Sequence, residues 1–168
     1  MPTHAFAGEA MGWRARMPAT RDLLKQLDDS LASALAERGL RTMWIYPADL
    51  VRAWRANPTY AVDPYSLGTN VLRNPALESG TRLGDPLATQ MRTMIALQEA
   101  RAVLVPVELR IEKDKTGKGV ASMRLALLDG RLSDVRWIGV VRSDTASAFS
   151  GALLSSLATH FADLITAP

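Results

Sequence analysis

Residues 103–112 read VLVPVELRIE, and residues 119–127 read GVASMRLAL. In the first stretch Val103, Val105, Val107, Leu109 and Ile111 fall on one side of a period-two alternation, and Leu104, Pro106, Glu108, Arg110 and Glu112 on the other. Successive side chains of a strand point to opposite faces, so the pattern specifies a strand with one dry face. In the second stretch Met123, Leu125 and Leu127 share a side, and in a third Val135 and Val141 flank Trp137. The loop 113–119 contains Gly117 and Gly119, and Asp129 precedes Gly130. Such turn residues join 102–112, 119–129 and 134–142 into a meander. Ser143 or Asp144 caps a closing helix whose apolar stripe is Phe149, Leu153, Leu157, Phe161 and Leu164.

Working outward, Leu23, Leu24, Leu27, Leu31, Ala34 and Leu35 recur at helical spacing. Thr20 is placed to cap that helix, Asp22 lies in its first turn, and Gly39 ends it. Residues 40–46 alternate Leu40, Thr42, Trp44 and Tyr46 against Arg41, Met43 and Ile45, which predicts a fourth strand. Pro47 stops it and opens a helix with Leu50, Val51 and Trp54 inward. Asp85 and Pro86 start a third helix, with Leu87, Met91, Met94, Ile95 and Gln98 as its stripe. The order predicts an α+β fold: a two-layer α/β sandwich with a mixed sheet of about four strands and helices mainly on one face. Pro106 has no N–H for a ladder, so an edge or a bulge is expected there.

Two segments break these periods. Residues 1–19 form an Ala-, Gly- and Pro-rich arm around Trp13, Arg14, Arg16 and Met17. Such an arm orders only when its own domain or a partner ties it down. Residues 57–84 carry Pro58, Pro64, Pro75, Gly68, Gly80 and Gly84, yet also Tyr60, Tyr65, Leu67, Val71 and Leu72. Structureless loops that long are uncommon in domains, and this one is too apolar for a linker. It is expected to be an ordered excursion with one helical turn near 64–72. The organisation predicted is an arm, 1–19, and a single α/β domain, 20–168, with the excursion at 57–84.

The chain of 168 residues is long enough to bury a core without staples. It has no cysteine, which excludes disulfides, thiolate metal sites and a cysteine nucleophile. Net charge is +3, and only Lys25, Lys113, Lys115 and Lys118 among the 20 basic residues are lysine. A guanidinium fork suits carboxylates and lipid phosphates, but acidic residues are interleaved, so no nucleic-acid stripe stands out. No run of about 18 apolar residues occurs, and residues 1–17 lack the apolar core of a signal peptide.

Catalytic constellations are not visible. His4 and His160 are the two histidines, too few neighbours accompany them for a metal site, and no nucleophile elbow surrounds Ser156. Asp28 and Asp29 are adjacent on a helix and point apart, and residues 116–119 form a hairpin turn, not a phosphate loop. No catalytic, metal or cofactor-binding residues are therefore expected. What stands out is aromatic and basic: Trp13 with Arg14 and Arg16, Arg52 and Arg55 around Trp54, and Tyr60 with Tyr65. Trp, Tyr and Arg are enriched at binding hot spots, so these residues, Trp54 excepted as core, are the candidate partner anchors.

Residues 100–106, 125–131 and 135–141, followed by Asp144 and an Ala- and Leu-rich final helix, resemble the TolB N-terminal-like group. That group includes curli-secretion-type and penicillin-binding-protein-activator-type envelope proteins. The resemblance covers about residues 85–168. It implies protein–protein contacts at a bacterial envelope, on the periplasmic side, without enzymatic activity or cofactors. The absence of a signal-peptide pattern leaves the cytoplasmic face open. The expectation is a membrane-extrinsic accessory or scaffolding subunit that stabilises a larger complex. A secretion or transport assembly would fit, as would a photosynthetic reaction centre–light-harvesting complex. Expected partners are protein subunits, with contact to lipid headgroups and no nucleic acid. The alternative is a small-ligand-binding or enzymatic domain with 57–84 as its lid.

Overall fold

The computed structural model describes residues 1–167. The fold is α+β, with four α-helices and a four-stranded mixed sheet of order β1-β2-β3-β4. The strands are β1 (Phe6–Glu9), β2 (Ala102–Lys113), β3 (Gly119–Asp129) and β4 (Asp134–Ala146). The helices are α1 (Thr20–Glu37), α2 (Pro47–Ala56), α3 (Leu87–Gln98) and α4 (Gly151–Thr166), with 3-10 turns at Arg14–Arg16 and Thr69–Arg73. β1 runs parallel to β2, and the other pairs are antiparallel. The meander therefore forms as its alternation requires.

The fourth strand is not where the alternation at 40–46 placed it. Residues 41–43 form turns, and the N-terminal arm supplies β1 instead. Leu109 N–H donates to Ala5 O (2.8 Å), Ala10 N–H to Ile111 O (2.9 Å) and His4 N–H to Pro106 O (3.2 Å). A strand needs a neighbour, and the arm already fills the position beside β2. β2 is therefore interior, and Pro106 does not sit on an edge. Its pairing with the arm lies ahead of the named ladder, which starts at Phe6 and has a register shift between Phe6 and Gly8.

The described residues divide into two units, to which β2, β3 and β4 each contribute. In the first (1–4, 45–107 and 125–139), α3 buries Leu87, Ala88, Met91 and Ile95 in a cluster with Val103, Val105, Val107, Ala126, Leu128 and Val135. In the second (5–44, 108–124 and from Val140 on), α1 packs against α4. Leu23, Leu27, Leu31 and Leu35 of α1 and Leu153, Leu154, Leu157 and Phe161 of α4 are buried there. Arg38 pairs with Asp163 at their ends. Glu108, Arg110, Glu112, Ser122, Arg124 and Arg142 line a shallow polar face of the same unit's strands.

Several local expectations change. Thr20 is the first residue of α1, with Ala19 in the cap position. β4 runs on past Ser143 and Asp144, and Ser150 is the residue before α4. Leu164 is exposed and Leu154 is buried, so the helix stripe is rotated from the one expected. On β3 the buried side shifts from Leu125 to Ala126, leaving Leu127 only half-buried. Trp137 is partly exposed because its ring lies along the strand over Gly139, where a Cβ would meet it.

Candidate functional site

The excursion 57–84 is ordered and anchored along its length. Asn57 ends α2 with its side-chain amide donating to Ala53 O (2.9 Å), while its carbonyl accepts from Tyr60 N–H and Ala61 N–H. The Asp63 carboxylate accepts from Tyr65 N–H (2.9 Å), which closes a turn around Pro64. Gln90 of α3 accepts from Gly68 N–H (2.9 Å). Leu67 and Leu72 enter the apolar cluster beneath, and the one helical turn expected forms at Thr69–Arg73. Residues 80–83 then run beside the start of β4. Gly80 N–H donates to Val135 O (2.7 Å), Val135 N–H to Thr81 O (2.9 Å) and Leu83 N–H to Ser133 O (2.7 Å).

This scaffold holds large side chains outward. Tyr60 is 77% exposed and Tyr65 46%, and Val71 between the anchors is also exposed. Arg52 and Arg55 lie on the exposed side of α2, with Arg52 paired to Asp49 (3.1 Å). Arg52, Arg55, Tyr60 and Tyr65 thus belong to one unit.

Trp13 is not part of that surface. It is 6% exposed, with its ring against Gly119. Glu9 puts it there: its carboxylate accepts from Met11 N–H (2.8 Å), Trp13 N–H (3.0 Å) and Arg14 N–H (3.2 Å). Those bonds, the one from Trp13 first, hold the Glu9 carboxyl below its ordinary pKa. The arm is fixed by its own fold, and Trp13 acts as a core residue. Arg14 stays exposed, donating to Thr20 Oγ1 (3.0 Å) and lying 5.6 Å from the Phe6 ring centroid. Arg16 is exposed.

Ser156, Asp144 and His160 do come together. The Ser156 hydroxyl donates to Asp144 Oδ2 (2.8 Å) and accepts from Asp144 N–H (2.8 Å). His160 Nδ1 lies 2.7 Å from Arg142 O, and its Nε2 is 3.7 Å from Asp144 Oδ1. A nucleophilic triad needs the hydroxyl to donate its hydrogen bond to the imidazole, whereas here it donates to the carboxylate. The cluster ties the end of β4 to α4.

His4 is half-buried, with its Nε2 sealed from solvent and lacking a partner, and desolvation lowers its pKa to about 4. Among the described residues no group of three or more His, Asp or Glu is placed to hold a metal ion. No helix among them is long and apolar enough to cross a membrane. A further concavity, lined by Arg82, Arg92, Arg131 and Ser133, escaped the sequence reading. Its residues come from distant parts of the chain and share no motif.

No family model matches the chain, and no curated protein or solved structure matches it significantly.

Proposed function

We propose that this protein is a non-enzymatic, membrane-extrinsic accessory subunit that binds a protein component of a larger bacterial membrane or envelope complex. The observation that supports the reading is the excursion 57–84, a built segment that exposes Tyr60, Tyr65 and Val71 while burying Leu67 and Leu72. Holding aromatics rigidly in water lowers the ordering cost of binding, and such residues dominate interface energetics. Arg52 and Arg55 add a polar rim on the same unit. The resemblance of residues 85–168 to envelope adaptor modules points the same way and favours the periplasmic face. A secretion or transport assembly and a photosynthetic reaction centre–light-harvesting complex are the settings in which such a subunit fits.

The lid alternative requires a cavity beneath the excursion. Leu67 and Leu72 instead pack into the cluster with Leu87, Met91 and Val105. A site-specific photo-crosslinker at Tyr60 or Tyr65, activated in native membranes, tests the proposal. One stoichiometric protein adduct at these positions, absent with the crosslinker at the exposed Arg21, is expected. Free monomer with no adduct at either tyrosine would refute it.

A further inference from the structure

The turn after β3 and the start of α3 enclose an open pocket of about 360 Å³. Arg82, Arg92 and Arg131 line it, and Asp85 is the one carboxylate among the lining residues. Separate elements bring the three arginines together. Arg82 is bridged to Asp134 by the pairing of 80–83 with 133–135. Arg131 projects from a turn whose Asp129 carboxylate accepts from Arg131 N–H (2.8 Å) and Leu132 N–H (2.9 Å). Arg92 is on α3, with its guanidinium 3.3 Å from Thr89 Oγ1. The Asp85 carboxylate is committed to Thr89, accepting from its hydroxyl (2.6 Å) and its N–H (3.2 Å).

Three arginines against one carboxylate carry the argument, and Ser133 adds to it. Ser133 lines the pocket, it is only 6% exposed, and its hydroxyl has no hydrogen-bond partner. Its backbone is also held in the left-handed region at φ +53°. An unpaired buried hydroxyl is costly and calls for an explanation. The oxygen is sealed from solvent as it stands, so a rotation about χ1 is what brings this unpaired donor to a ligand in the pocket.

We infer that this pocket binds a phosphate monoester, with the arginines clamping the phosphate oxygens and the Ser133 hydroxyl, once rotated toward the pocket, donating to one of them. Guanidinium groups bind phosphate through paired N–H donors, and three of them against the one carboxylate of Asp85 leave the pocket net positive for a dianion. The volume lies at the small end of ligand sites and exceeds what one phosphate fills. Leu83, Ala88 and Leu132 offer an apolar wall for a small organic group. Two sources carry this chemistry, a free phosphorylated metabolite and the headgroup of a phosphatidate lipid. The inference does not rest on the partner reading, because Tyr60 and Tyr65 are not among the lining residues.

The test titrates the full chain with inorganic phosphate and with glycerol phosphate at constant ionic strength, followed by amide and arginine side-chain NMR shifts. A parallel arm measures co-sedimentation with phosphatidylcholine vesicles, with and without phosphatidic acid. Saturable shifts around Gly84, Arg131 and Ser133 are expected, with affinity falling about tenfold in Arg131→Gln and in Ser133→Ala. Arg110→Gln, in the polar pocket of the other unit, should leave binding unchanged. Ser133→Ala removes an unpaired donor and should not lower the thermal midpoint, which separates lost binding from lost folding. Arg131-dependent binding of free monoester alone identifies a metabolite site, and Arg131-dependent binding to phosphatidic acid vesicles identifies a lipid headgroup site. No saturable binding in either arm, or an equal loss in Arg110→Gln, overturns the inference.

Discussion

A Cβ built on Gly119 would stand 2.2 Å from Cη2 and 2.7 Å from Cζ3 of Trp13. Real Cβ atoms do not approach other atoms that closely, so the indole occupies the space a side chain at 119 would need. The ring cannot retreat freely, because Glu9 fixes the Trp13 backbone through the hydrogen bonds of the 10–14 turn. Gly119→Ala should therefore cost about 1–3 kcal/mol, the usual penalty of overpacking. Urea midpoints and the Trp emission spectrum would check it, with the loss of stability accompanied by a red shift as the indole is pushed toward water. The same substitution in a Trp13→Ala background should cost little more than Trp13→Ala alone, since the clash is then gone. Trp13 also illustrates a limit of residue composition. An aromatic flanked by two arginines in an arm without period has the makeup of an interaction anchor, and only the contact with a distant glycine shows it to be core.

At the scale of elements, legibility follows from where the stabilising contacts lie. α1, α2 and β3 stand where their patterns put them, and β3 has the bounds 119–129 that its turn residues mark. These elements carry their signal in their own residues. β1 does not: Phe6–Glu9 is four residues long, includes Gly8 at φ +127°, and forms because β2 offers unpaired backbone groups beside it. Residues 40–46 show the converse, with a good alternation and no partner strand left to satisfy it. The phosphate pocket is the extreme case, since Arg82, Arg92, Arg131 and Ser133 become neighbours only through pairing of 80–83 with 133–135 and the placement of α3. The excursion 57–84 lies between these extremes. Its apolar residues announce order, while its anchor, Leu72, is fully buried within a 3-10 turn that no periodicity marks. Leu72→Ala should cost about 2–5 kcal/mol, as for other large-to-small changes in a packed core. Limited proteolysis should then show new cleavage within 57–84 before any in β3. Uncut excursion in the variant would mean that its other anchors, the hydrogen bonds to Ala53, Gln90 and residues 133–135 and the buried Leu67, hold it without Leu72.

The acid response of the whole molecule gathers groups from both units that shift in a common sense. Burial keeps His4 neutral, with a pKa of about 4 against an ordinary 6.5, and the neighbouring amino-terminal charge adds to the effect. Above 6.5 neither the folded nor the unfolded chain protonates this imidazole, and stability is at its full value. Between 6.5 and about 4 the unfolded chain binds a proton that the folded chain refuses, so stability falls with pH, by at most about 3 kcal/mol from this group. The carboxylates act lower. The Trp13 N–H holds Glu9 below its ordinary value, the Thr89 hydroxyl does so for Asp85, and the Leu132 N–H for Asp129. A depressed carboxyl contributes stability above its unfolded pKa and loses it as pH falls through the folded one, so this second loss follows the first. Urea midpoints measured from pH 8 to pH 3 should thus be flat at the top, decline from about 6.5, and steepen below the ordinary carboxylate range. His4→Phe, which keeps the bulk and cannot protonate, should flatten the decline between 6.5 and 4 and leave the steeper acid limb in place. A variant that declines in parallel with the parent over that upper interval would place the proton uptake on a group other than His4.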